Sequence, residues 1–214
     1  MKLYDYFRSG AAYRTRIALN IKGLDYEQSF VHLTRDGGEQ FKPEYVALNP
    51  QKLVPTLIDG GEPITQSMAI MEYIEETRPN PPLLPKDAVG RARVRSLANI
   101  IACDIHPINN LRVRNYVRDD LKAGSEGMRQ FVERWILSGL EAYEALVAGN
   151  PRTGTFSHGD TPTMADCCLI PQLTNGRTFK VNYDRFPTVL RIEQACLKHP
   201  AFIKAAPENQ PDAE

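Results

Sequence analysis

Three places in this 214-residue chain gather residues able to hold an anion. The first is Arg8-Ser9-Gly10-Ala11, which sits between an aromatic-rich strand pattern at Lys2–Phe7 and a helical periodicity from Ala11 to Lys22. The first amides of a helix have no intrahelical acceptor. The helix dipole adds partial positive charge there, so an anion is favoured and a serine hydroxyl can donate to it. Ser9 also fits the plainer role of an N-cap. Arg8, Arg14 and Arg16 crowd the same segment. The second place is Lys52-Leu53-Val54-Pro55. An X-Pro bond at a strand start is a candidate cis peptide, although trans is the default. The cis form would leave the amide and carbonyl of Val54 at a sheet edge, open to an extended, peptide-like ligand. The third is Gln66-Ser67, another helix start, where a hydroxyl is added to the free amides; a simple cap is the competing role.

Further along, Asp104-Ile105-His106-Pro107-Ile108-Asn109-Asn110-Leu111-Arg112 is the densest polar run of an otherwise amphipathic region. A metal held by Cys103, Asp104 and His106 fails on count, because four ligands are usual and no second cluster answers them. His106 fits a satisfied structural histidine as well as a site residue. Thr163-Met164-Ala165-Asp166 reads as a capping box ahead of an apolar run, with Cys167 and Cys168 in the core. Arg91, Arg93 and Arg95 read as a solvated helix face.

The elements that must position these residues change character midway. Up to residue 80 the order is β-α-β-α-β-β-α. Strands are expected at Lys2–Phe7, Tyr26–Leu33, Val54–Ile58 and Pro63–Thr65, helices at Ala11–Lys22, Phe41–Val46 and Met68–Thr77, and a hairpin at Asp59-Gly60-Gly61. Arg78 to Pro85 holds four prolines in eight residues, a stiff linker. Beyond it, helices are expected over 88–104, 125–148, 163–175 and 188–198, and the last eight residues, PENQPDAE, read as a loose tail. The fold class is therefore a small α/β domain followed by a larger all-helical one.

Composition narrows the function. Lys plus Arg is 26 and Asp plus Glu is 26, so the chain lacks the basic excess that nucleic-acid binding needs. No stretch approaches the apolar length of a membrane span, and the N-terminus has no secretory pattern. Cys103, Cys167, Cys168 and Cys196 form no disulfide framework, which points to reduced thiols and a cytoplasmic setting.

Taken together, the three helix-start and proline sites resemble the thioredoxin-like N-terminal domain of glutathione transferases. "YFRSGAAYRTRIALNIKGLDYE" resembles the zeta-class signature, and "ALNPQKLVPTL", "ITQSMAIMEYIEETRP", "CDIHPINNLRV" and "GDTPTMADCCLIPQL" resemble the same class. The resemblance runs from Lys2 to about Pro211. It implies a thioredoxin-like glutathione-binding domain at 1–80, a linker at 81–87 and an all-helical substrate domain at 88–214. It also implies glutathione as cofactor and a homodimer. The implied activity is glutathione-dependent cis–trans isomerisation of a maleyl keto acid by reversible thiolate addition. Maleylacetoacetate is the first candidate substrate; maleylpyruvate isomerisation or general conjugation of electrophiles are the alternatives.

The family's Ser-Ser-Cys triplet is Ser9-Gly10-Ala11 here, so the protein thiol is missing and Ser9 is the only hydroxyl left in it. Carried over from the family, Ser9 bonds the glutathione sulfur and Val54 its cysteinyl backbone. Gln66 and Ser67 hold the γ-glutamyl carboxylate, and Gln40 and Lys52 lie near the glycine end. His106, Asn110 and Arg112 join the glutathione site, and Asp104 reaches the ammonium group across a dimer interface. Arg112, Arg177 and Arg8 are the candidates for the two carboxylates of the substrate, since guanidinium forks match carboxylates. Arg177 fits a surface salt bridge as well.

Overall fold

The structure is a computed structural model and describes residues 1–214. The chain forms two compact units. One comprises Met1–Leu83 with Lys198–Glu214, the other Leu84–Leu197.

The first unit is built on a four-stranded sheet of order β2-β1-β3-β4, from β1 (Lys2–Asp5), β2 (Glu27–Phe30), β3 (Thr56–Asp59) and β4 (Glu62–Thr65). β1 and β2 run parallel, with Leu3 opposite Gln28. A parallel pair needs a crossover, and helix α1 (Gly10–Ile21) supplies it. β3 runs antiparallel to β1, with Leu3 opposite Leu57 and Tyr4 opposite Thr56. Gly60 and Gly61 take φ of 60° and 92° between β3 and β4, the left-handed pair that a two-residue hairpin loop requires. Short α2 (Pro43–Leu48) precedes β3, and α3 (Ser67–Thr77) follows β4. The element order matches the sequence expectation, with β1, β2 and β3 shorter than expected and β4 one residue longer. Leu3, Ile17, Ala18, Leu19, Leu57, Ile70, Met71 and Ile74 are fully buried and form the core.

A buried ion pair fixes the end of β1. Arg16 and Asp5 both have 0% side-chain exposure and meet at 2.7 Å. Arg16 also donates to the carbonyls of Phe7 and Ala205, so no buried donor face is wasted. The expected crowd of positive charge therefore thins out: Arg16 points into the core, Arg14 is buried as well, and only Arg8 is exposed.

The closing segment corrects the expectation of a loose tail. Helix α9 (Pro200–Ala205) packs on α1, and Asn20 Nδ2 donates to the Ala201 carbonyl. Gln210 is buried, accepts from Gln28 Nε2 at 3.0 Å and donates to the carbonyls of Lys204 and Ala206. The anchors of residues 207–214 are the polar side chains of Gln210 and Asp212, which carry no apolar signature in the sequence.

The second unit is helical: α4 (Ala88–Asn99), α5 (Leu111–Asn115), α6 (Gly124–Val147), α7 (Met164–Thr178) and α8 (Pro187–Cys196). α7 is its buried axis, with every residue from Met164 to Leu173 inside. The expected capping box starts it: Thr163 Oγ1 and its amide both bond Asp166 Oδ2, and Asp166 Oδ1 accepts from the Ser157 amide. Cys167, Cys168 and Cys196 are buried. The helix expected over 88–104 changes to a wider π-helical turn at Ile100–Ile105, and a second such turn spans Tyr116–Asp120. Arg93 is not solvated as expected. It donates to the Ser157 and Leu146 carbonyls and to Thr153 Oγ1, satisfying the loop that joins α6 to α7.

Candidate active site

Ser9 lies where the sequence placed it, at the N-cap of α1 with extended backbone (φ −71°, ψ 117°). Its Oγ accepts from the Ala12 amide at 3.2 Å, so the cap role is real. A hydroxyl has one donor and two acceptor lone pairs, and the cap uses one lone pair. The O–H remains available to donate, beside the opening amides of Gly10 and Ala11. Arg8 is exposed next to it, its guanidinium 6.0 Å from the Phe7 ring centroid.

The Val54–Pro55 bond is cis. Val54 precedes β3, and neither its amide nor its carbonyl has a hydrogen-bond partner in the chain. Three buried polar side chains that the sequence analysis did not single out hold this peptide in place. Tyr45 Oη and Asn49 Nδ2 both donate to the Leu53 carbonyl, at 2.5 and 2.7 Å, and both also contact Thr56 Oγ1. Burial pushes the Tyr45 hydroxyl above its ordinary pKa, so it stays a donor. Lys52 is exposed, with φ of 59° and Nζ 5.9 Å from the Phe41 ring. Gln40 is buried; its Nε2 donates to the Leu33 carbonyl, and its Oε1 has no partner. Gly38 makes room for it, since a Cβ there would stand 2.5 Å from Gln40 Nε2.

Gln66 and Ser67 open α3, and no side chain caps it. Gln66 holds a left-handed φ of 67° and donates from Nε2 to Gln51 Oε1 at 2.6 Å. Ser67 is the first helical residue, and its hydroxyl has no partner. Ser9, Gly10, Ala11, Gln40, Lys52, Val54, Gln66 and Ser67 thus all belong to the first unit, and the antiparallel registers of β3 with β1 and β4 bring Val54 toward the two helix starts.

In the second unit, Asp104 lies in the first π turn, His106 follows it, and Asn110 caps α5 by accepting from the Arg112 amide at 3.2 Å. Ile105, between Asp104 and His106, packs on α6 where Gly139 leaves space; a Cβ there would lie 2.3 Å from Ile105 Cδ1. The neighbouring Asn109 is 5% exposed, and both its amide atoms lack partners. Arg112 is exposed and its guanidinium is unpaired. Arg114 lies 4.9 Å from the Phe179 ring centroid, which ties α5 to the end of α7 where Arg177 sits. Arg177 is not free: both terminal nitrogens bond the Glu193 carboxylate, whose side chain is 1% exposed against 47% for the arginine. The salt-bridge role considered for Arg177 is therefore present. No group of three or more potential metal ligands exists.

Comparison with known proteins completes the picture. The glutathione S-transferase N-terminal domain model matches residues 1–76. Maleylpyruvate isomerase of a Ralstonia species is 48% identical over 213 residues, covering all of both chains. Maleylacetoacetate isomerase of Pseudomonas aeruginosa is 46% identical, covering 99% of this chain and 98% of that one. A holo structure of maleylpyruvate isomerase, a bacterial zeta-class glutathione S-transferase, superposes with a TM-score of 0.97 over the whole of both chains at 48% identity. Maleylacetoacetate isomerase from Methylobacterium extorquens AM1, with bound malonate and glutathione, gives 0.95 at 43% identity, again over both whole chains. The chain belongs to the zeta class of glutathione S-transferases, alongside the maleylacetoacetate and maleylpyruvate isomerases.

Proposed function

We propose that this protein is a glutathione-dependent cis–trans isomerase of a maleyl keto acid. The observation that carries the reading is the unpaired Val54 peptide beside two helix starts, in a chain 48% identical throughout to a maleylpyruvate isomerase. The residues fit glutathione. The free amide and carbonyl of Val54 suit the cysteinyl backbone of a tripeptide. Ser67, with its unused hydroxyl at an uncapped helix start, suits the γ-glutamyl carboxylate, and Gln66 stands next to it. The unpaired, buried Oε1 of Gln40 suits a peptide N–H toward the glycine end, with Lys52 for the terminal carboxylate. When bound, glutathione supplies a sulfur nucleophile whose reversible addition turns the substrate's double bond into a freely rotating single bond.

The chain's own groups do the rest. Ser9 donates its hydroxyl proton toward the sulfur, and together with the amides of Gly10 and Ala11 favours the thiolate over the thiol. No protein thiol competes, because Ala11 stands where the family pattern has cysteine. Arg112 and Arg8, both exposed, grip the carboxylates of a dianionic substrate and counter the charge that develops as the alkene opens. Arg177 shares its guanidinium with Glu193 and offers the N–H groups that remain. His106, which follows the first π turn, and Asn110, which caps α5, are the polar groups of the second unit that precede Arg112, and Asp104 meets the ammonium of the γ-glutamyl group in a homodimer.

Three reduced, buried cysteines fit a cytoplasmic enzyme, and no helix is long and apolar enough to cross a membrane. The proposed domain division places glutathione on 1–80 and substrate recognition beyond the 81–87 linker. Maleylacetoacetate and maleylpyruvate share the cis-enedioyl acid that these residues would recognise, and relatives of both names match at 46–48% identity, with maleylacetoacetate the first candidate. Side-by-side rates on maleylpyruvate and on maleylacetone, with and without glutathione, test the reading. Glutathione-dependent formation of the fumaryl isomer of at least one is expected, and inertness toward both would contradict it.

A further inference from the structure

The loop that carries Ser9 contains one backbone amide whose acceptor comes from the other end of the sequence. Local bonds hold most of this loop. The Ser9 amide donates to the Tyr6 carbonyl at 2.9 Å, the Tyr6 amide donates to Asp5 Oδ1 at 2.7 Å, and Arg16 donates to the Phe7 carbonyl at 3.0 Å. The Phe7 amide, two residues before Ser9, has no local acceptor. It donates to Asp212 Oδ2 at 3.0 Å. Phe7 is buried, so loss of that acceptor would leave an N–H without a partner and press the loop to rearrange.

Asp212 is itself held. Two residues before it, Gln210 is buried and bonds both α9 and Gln28 of β2, and Gln28 also donates to Asp5 Oδ2. Asp212 is half-buried and its Oδ1 is buried without a partner, so part of the carboxylate has been withdrawn from water where Oδ2 holds the loop. That costs free energy which a carboxylate serving only solubility would not incur.

We propose that Asp212 is a positioning residue for the isomerase: through the Phe7 amide it fixes the turn that aims the Ser9 hydroxyl at the glutathione sulfur. This rests on the glutathione reading above, and it extends the functional machinery to residues 207–214. The tripeptide's backbone anchors, Val54 and Ser67, lie on other elements. Loss of Asp212 is therefore expected to impair thiol activation while leaving glutathione affinity nearly unchanged.

The test compares wild type, Asp212→Ala and Asp212→Asn as full-length proteins. Amide hydrogen exchange in the ligand-free proteins reads the turn directly, and the 240 nm absorbance of bound thiolate against pH reads the sulfur. In Asp212→Ala, exchange across residues 6–10 should speed up about tenfold. The bound thiol pKa should rise by about half a unit or more, and kcat should fall about tenfold with the KM for glutathione within about twofold. Asp212→Asn keeps an acceptor for the Phe7 amide and should restore all three. Asp212→Ser, whose shorter hydroxyl does not reach, replaces the alanine variant if that one is insoluble, with the same expectation. Wild-type exchange and thiol pKa in the alanine or serine variant would overturn the proposal, as would failure of asparagine to rescue. Absence of glutathione binding or isomerisation in the wild type would instead overturn the functional reading on which it rests.

Discussion

Arg112 and Arg177 carry the same charge on neighbouring elements, yet their surroundings give them different roles. Arg112 is exposed with an unpaired guanidinium, whereas Arg177 is locked by two bonds to a carboxylate that is itself almost fully buried. Arg112→Ala should therefore lower kcat/KM for the keto acid by about 10- to 100-fold, the worth of one charge-assisted carboxylate contact, with the denaturation midpoint unchanged. Arg177→Ala should lower activity and stability together, because Glu193 would be left buried and unpaired. The stability loss should be about 1–3 kcal/mol, less than for a fully buried pair because the guanidinium is half exposed. Steady-state kinetics alongside denaturant melts on the two variants separate these outcomes; equal stability losses would remove the distinction. The sequence alone could not make it. The cap at Ser9, the cis bond at Val54–Pro55 and the helix start at Ser67 were legible because their signals are local: a residue type at a helix start or before a proline. The grip of Glu193 on Arg177, and the Tyr45, Asn49 and Thr56 scaffold behind Val54, depend on contacts across the fold, which no local pattern encodes.

At the scale of elements, the loop between β2 and α2 decides how Gln40 is presented. Glu39 holds that loop: its Oε2 accepts from the His32 amide at 2.8 Å and its Oε1 from Lys42 Nζ at 3.1 Å. The His32 amide bond is the main reason that the Glu39 carboxyl lies below its ordinary pKa, with Lys42 adding to the effect against a smaller burial penalty. A depressed folded pKa means that the unfolded chain binds the proton more readily. The stabilisation is therefore present above the unfolded value near 4.5 and is lost as pH falls through the folded value. Wild type should exceed Glu39→Gln in denaturant midpoint at pH 7, and the gap should close by about pH 3. A gap that widens toward acid would reverse the assignment. The order of elements in the first unit was legible, since strand and helix periodicities differ and Gly60-Gly61 marks its hairpin. The π turns at Ile100–Ile105 and Tyr116–Asp120 were not, because a wider turn leaves the apolar spacing nearly helical. The return of α9 to α1 was hidden too: it buries Ala201, Phe202 and Ala205 in a helix too short for a clear period, and its bonds from Arg16 and Asn20 to backbone carbonyls join distant parts of the sequence.

At the scale of the whole molecule, the enzyme borrows its nucleophile. Ala11 replaces the cysteine of the family triplet, Cys167, Cys168 and Cys196 are buried, and the one exposed thiol, Cys103, lies in the second unit and donates to Asn99 Oδ1. Burial raises the Cys196 thiol far above its ordinary pKa, which keeps it protonated and unreactive. The proposed sulfur therefore comes from glutathione and returns to it unchanged after every turnover. A general conjugating transferase would instead consume one glutathione per electrophile. Counting glutathione while a maleyl keto acid is converted measures this difference directly. With glutathione at a hundredth of the substrate concentration, complete conversion to the fumaryl isomer and full recovery of free thiol are expected. Conversion that stops at one product per glutathione, with the thiol lost to a stable thioether, would contradict this expectation.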